Sequence, residues 1–105
     1  MKNVNSANFE TEVIQSSIPV VLDFWAEWCG PCKMMLPVLE DLDQYYKGRL
    51  EIAKVNIDED QTLASQFGIR AVPTLLVFKG GVVVEQTVGL KSIRDLKEIF
   101  ERVTK

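Results

Sequence analysis

With 105 residues, 47 % of them hydrophobic, the chain is long enough to close one hydrophobic core and short for two. Its formal charge of −3, from 12 basic against 15 acidic residues and no histidine, offers no cationic field, which argues against nucleic acid or an anionic membrane surface as a partner. No apolar run approaches the roughly 20 residues that span a bilayer, and the start MKNVNSANFE carries no hydrophobic leader segment, so a cytoplasmic location is the expectation.

From the N-terminus, a short strand is expected around Val4, and Asn8 or Ser6 can cap a first helix, FETEVIQSS, with Glu10 and Glu12 in its first turn where acids suit the helix dipole. Val20 to Trp25 is a continuous β-branched and aromatic run, the pattern of a central strand covered on both faces. From Cys32, Met35, Leu39, Leu42 and Tyr46 recur at helical spacing opposite Lys33, Glu40, Asp43 and Lys47, predicting a helix that ends at Gly48. Pro37 lies inside it, removes one backbone hydrogen bond and is expected to kink it. LEIAKVNI (50–57) reads as a strand. Asp58 with Gln61 resembles a capping box for a third helix bearing Leu63 and Phe67 and ending at Gly68. TLLVF and VVVEQTV, joined through Lys79, Gly80 and Gly81, form a hairpin. Ser92 and Asp95 then open a last helix with Leu96, Ile99, Phe100 and Val103 on one stripe. The order βαβαβαββα predicts an α/β fold with a mixed central sheet covered on both faces. No repeat, low-complexity tract or linker interrupts it, so residues 1–105 are expected to form one domain.

Both cysteines, Cys29 and Cys32, fall in the stretch VVLDFWAEWCGPC (20–32). A metal site needs about four ligands, and with no histidine and no third cysteine the chain cannot supply them without carboxylates or a second chain. A structural disulfide closing so short a loop contributes only about 2 kcal/mol on the chain-entropy model. The redox reading uses the spacing directly. With Cys29 at a helix N-cap, its sulfur faces unpartnered backbone N–H groups, and the dipole there favours a thiolate. Pro31 has no N–H, so the amide of Cys32 is the most available donor; Gly30 leaves the backbone bare beside the nucleophile and Pro31 presets a helical φ. Cys32, within the first turn, can resolve a mixed disulfide formed at Cys29. Without histidine, Cys–His and Ser–His–acid hydrolysis are closed to a single chain.

DFWAEWCGPCK, the internal Pro37, KVNID, the FGIRAVPTLLVFKGG block and VGL at 88–90 stand together in an order that resembles the thioredoxin family and covers nearly the whole chain. The resemblance implies the thioredoxin fold, with about five strands flanked by four helices, and a general protein-disulfide reductase cycling between the Cys29/Cys32 dithiol and disulfide. It implies no bound cofactor; electrons come from NADPH through thioredoxin reductase. Targets are disulfide-containing proteins such as ribonucleotide reductase, peroxiredoxins and methionine sulfoxide reductases, met by a monomer.

Asp23 is similar to the family's buried acid, which exchanges a proton with the resolving thiol, here Cys32. Burial among Val20, Val21, Leu22 and Phe24 should raise its pKa; the alternative is an ordinary strand-end carboxylate in solvent. Lys54, on the same face as Leu50 and Ile52, lies near that acid in similar proteins and either pairs with it or snorkels to the surface. Trp28 is expected to be exposed beside Cys29, and Trp25 to pack beneath the site. Val72-Pro73 resembles the family's cis-proline loop facing the two sulfurs. With Gly30, Pro31 and Gly89 it would frame an apolar groove for an extended substrate backbone. Ala71 stands where a glycine is often found. Two rival readings are an oxidase or isomerase of the same fold, and a binding or chaperone-like subunit that uses the groove without redox chemistry.

Overall fold

The computed structural model describes all of residues 1–105. In chain order the elements are β1 (Lys2–Asn3), a π-helical segment (Glu10–Ile14), β2 (Val20–Trp25), α1 (Gly30–Tyr45), β3 (Glu51–Asn56), α2 (Gln61–Gln66), β4 (Thr74–Lys79), β5 (Val82–Val88) and α3 (Ile93–Val103). This is the order βαβαβαββα predicted from hydrophobic periodicity. Every residue of β2 is buried, and β2 lies at the middle of a five-stranded mixed sheet, β1-β3-β2-β4-β5. β1 and β2 flank β3 in parallel, whereas β4 runs antiparallel to β2 and to β5.

The two-residue alternation of a strand splits the core into two layers. Val21, Ile52, Leu75 and Val77 pack against Met35, Leu39 and Leu42 of α1 and Leu96 and Phe100 of α3. Val20, Leu22, Phe24 and Val55 face Phe9 and Val13 near the π-helical segment and Leu63 of α2. Asp23 shares the face of Val21, so this row of the sheet carries a carboxyl between the aliphatic side chains of Val21 and Leu75. No helix is long and apolar enough to cross a membrane.

Two predicted caps are displaced. Neither Asn8 nor Ser6 caps the first helix: the Asn5 side chain accepts from the backbone N–H of Ala7 and Asn8, while Ser6 is drawn to Asp60 by its N–H and hydroxyl. That helix is shorter than FETEVIQSS and closes its last turn from the Gln15 N–H to the Glu10 carbonyl (3.0 Å). The third helix is capped by Asp60, whose carboxylate accepts from the Leu63 N–H at 3.1 Å, and not by Asp58. A turn around Asn56, which accepts from the N–H groups of Asp58, Glu59 and Asp60, delays the helix start beyond the predicted position.

The hairpin turn is Gly80-Gly81, with φ of 62° and 81°; Lys79 is the last residue of β4 and pairs with Val82. Positive φ at both central residues matches strand twist, and glycine is the residue that adopts it without steric cost. The α3 cap forms as predicted, the Asp95 N–H donating to Ser92 Oγ at 3.1 Å, with Leu96, Phe100 and Val103 buried beneath. Ser92→Ala is expected to lower stability by about 1 kcal/mol, read as a shift in the urea midpoint at unchanged slope.

Candidate active site

Where the chain leaves β2 it turns through Ala26–Trp28 and enters α1 at Cys29, the N-cap, with extended backbone (φ −94°, ψ 106°). Gly30 and Pro31 are the first helical residues, and the Cys32 N–H donates to Cys29 Sγ at 3.2 Å. The donor expected from the missing N–H of Pro31 is the one in place. Cys29 and Cys32 are joined as a disulfide, their Cα atoms 5.3 Å apart. Cys29 keeps 5 % of its surface exposed and Cys32 none, so an approaching protein can reach only Cys29. Beside them, a Cβ built on Gly30 would meet nothing within 4 Å, leaving open space. Deeper in α1, Pro37 sits inside the helix, which continues through it to Tyr45.

Trp25 and Ala26 pack against the two cysteines with Leu36, Ile57 and Val72 around them, so Trp25 lies beneath the disulfide as expected. The Val72-Pro73 peptide bond is cis, and the Val72 carbonyl oxygen lies 3.7 Å from Cys29 Sγ. Two bonds fix this loop: the Thr74 hydroxyl donates to the Ala71 carbonyl (2.6 Å), and the Gly89 N–H donates to the Pro73 carbonyl (2.8 Å). Gly89 does so at φ +90°, a conformation side-chain-bearing residues rarely adopt. Neither the N–H nor the carbonyl of Val72 joins a backbone hydrogen bond, so both remain available to an incoming chain.

Trp28 is 69 % exposed at the rim, and its indole N–H donates to Asp58 Oδ2 at 3.0 Å. Between Trp28 and the loop is a cleft of about 220 Å³ lined by Trp28, Ile57, Ile69, Arg70, Ala71 and Val72. Sequence reasoning missed Asp58, read as a helix cap, and Ile57, read as the end of a strand. Nothing local marks Asp58 as the indole's acceptor, 30 positions away.

Asp23 is fully buried, and neither carboxyl oxygen has a hydrogen-bond partner. Burial pushes its pKa up to about 7 from the ordinary 3.8, and the positive charge of Lys54 pulls part of the way back. Lys54 stands directly opposite Asp23 in the β2–β3 register, yet its ammonium lies over the Trp25 ring, 5.0 Å from the centroid. It therefore acts on Asp23 through its field and not through a contact pair. No three Cys, Asp or Glu side chains gather where they could share a metal ion.

A family model described as Thioredoxin matches residues 1–102. Thioredoxin 1 of Nostoc sp. is 46 % identical over 99 residues, 94 % of this chain and 92 % of its own length. Thioredoxin of Synechocystis sp. is 49 % identical over the same shares of both chains, and that of Haemophilus influenzae 51 % identical over 83 % of this chain and 81 % of its own.

Proposed function

Because the chain belongs to the thioredoxin family and is a protein-disulfide reductase working through its Cys29/Cys32 pair, we propose that Cys29 is the nucleophile and Cys32 the resolving thiol. In the reduced protein the helix N-terminus and the Cys32 amide favour a thiolate at Cys29. That thiolate attacks one sulfur of a substrate disulfide, forming a mixed disulfide and expelling the other sulfur as a thiolate, which takes up a proton. Cys32 then gives its proton to Asp23 and attacks Cys29 Sγ, closing the Cys29–Cys32 bond and expelling the second substrate sulfur as a thiolate, which takes up a proton from solvent while Asp23 gives its own back to solvent. The substrate gains two electrons and two protons; the dithiol loses them.

The observation that carries this reading is the asymmetry of the pair: Cys29 is the capped, reachable sulfur, and Cys32 is wholly enclosed behind it. Asp23 suits the proton step because a carboxyl titrating near neutrality can both accept and return a proton. Lys54 tunes that acid. Trp28, Gly30, Pro31, Val72, Pro73 and Gly89 frame the docking groove, where the free backbone groups of Val72 would add an extended substrate segment as a short strand. Trp25 and Pro37 support it from below and behind.

Electrons would return from NADPH through a thioredoxin reductase, with no cofactor bound by the chain itself. Ribonucleotide reductase, peroxiredoxins and methionine sulfoxide reductases are the proposed targets, met in the cytoplasm by a monomer of one domain. The test is reduction of a model protein disulfide coupled to NADPH oxidation by a thioredoxin reductase. NADPH consumption that requires both the chain and the disulfide is expected; consumption unchanged when both cysteines are serine would remove the reading.

A further inference from the structure

Asp23 and Lys54 are register partners on adjacent parallel strands, on the sheet face that also carries Val21 and Ile52. An ammonium beside a buried carboxyl with no hydrogen-bond partner should close onto it, because opposite charges attract strongly where water is scarce. It does not. The Lys54 side chain reaches along the strand to Trp25, two residues beyond Asp23 on the same face, and rests 5.0 Å from the ring centroid. Trp25 is only 7 % exposed and packs among Ala26, Cys29 and Cys32, with Leu36, Ile57 and Val72 around them. Its own indole N–H has no acceptor, so packing and not a hydrogen bond sets its orientation.

We propose that Trp25 is a positioning residue: its indole face holds the Lys54 ammonium off the Asp23 carboxyl, leaving the acid unpaired and free to exchange a proton with Cys32. The inference rests on the role given to Asp23 above. A closed pair would hold Asp23 in its charged form and make it a weaker base toward Cys32. β3 brings Lys54 directly opposite Asp23, while Cys29 and Cys32, at the start of α1, titrate only when the disulfide is open. On the other side, β4 brings Leu75 opposite Asp23, which carries no ionisable group.

The experiment follows the Asp23 carboxyl by carbon NMR across pH in the oxidised protein, which removes both thiols from the titration. Trp25→Leu should move the Asp23 midpoint lower by at least about one pH unit, as the freed ammonium reaches the carboxylate. Trp25→Phe, which keeps an aromatic face, should move it less than half as far. Adding Lys54→Met to Trp25→Leu should return the midpoint to the wild-type value or above. A midpoint in Trp25→Leu that stays put or rises overturns the proposal. If that variant does not fold, the wild type decides: the Lys54 ε-methylene protons should show an upfield ring-current displacement on both sides of the Asp23 midpoint. Loss of that displacement as Asp23 ionises would mean that the ammonium leaves the ring, and overturns it equally. None of these readouts uses turnover. A failure of the role assigned to Asp23 would show separately, as an unchanged rate of mixed-disulfide resolution in Asp23→Asn.

Discussion

Cys29→Ser is expected to remove protein-disulfide reduction, by on the order of 10³-fold or more, because the one thiol left, Cys32, is wholly enclosed and cannot meet a substrate disulfide. Cys32→Ser should fail differently. Its Cys29 can still attack, but nothing one helical turn away can displace the substrate, so the mixed disulfide persists. The adjacent thiol normally wins this step because it acts at an effective concentration far above that of any thiol in solution. The adduct would be read as a covalent band on a non-reducing gel that dithiothreitol removes. Adducts formed by Cys29→Ser in place of Cys32→Ser would reverse the two roles. The exposure of the pair argues for the stated direction, since Cys32 has no surface through which a protein could reach it.

Asp23→Ala is expected to make the folded protein more stable at pH 8 and less competent. Its carboxyl titrates at about 7 when folded and near 3.8 when solvated, so between those values the native state holds a proton that the unfolded chain has released. Stability then falls as pH rises from about 4 to 7, by about 4 kcal/mol in all, and the cost is constant above that window. The variant escapes the cost but leaves a small cavity; the net gain at pH 8 should be roughly 1–4 kcal/mol. Near pH 4 the gain should vanish or change sign, leaving only the cavity. Urea unfolding of both proteins at the two pH values checks the window and its sign, and a variant less stable than wild type at pH 8 would contradict an unpaired buried acid. Turnover near neutral pH should drop by about 10²-fold, the contribution of a positioned proton acceptor.

Much of the fold was legible because its elements are strongly periodic. The apolar run of β2, broken only by Asp23, the helical stripe of α3 and the double glycine of the hairpin each specify one local geometry, and each formed where predicted. The caps at Asn8 and Asp58 misled because Asn and Asp compete for any nearby N–H, and distant partners decided the outcome. Asp60 both caps α2 and binds Ser6, and Asp58 is engaged by the Trp28 indole. The Cys29 cap was legible because it depends on a single turn of chain, in which Pro31 withholds its N–H and leaves Cys32 as the donor.

The order of residues by itself determined the redox pair, its place at a helix start and the apolar strand that buries an acid behind it, since these follow from spacings of a few residues and from the absence of histidine. Only the tertiary structure decided that Lys54 rests on Trp25 and not on Asp23, and that Cys29 has a path to solvent while Cys32 has none. The reason is physical: covalent spacing sets which groups meet within one turn, whereas the partner of a long flexible side chain is chosen by packing from segments that are distant along the chain.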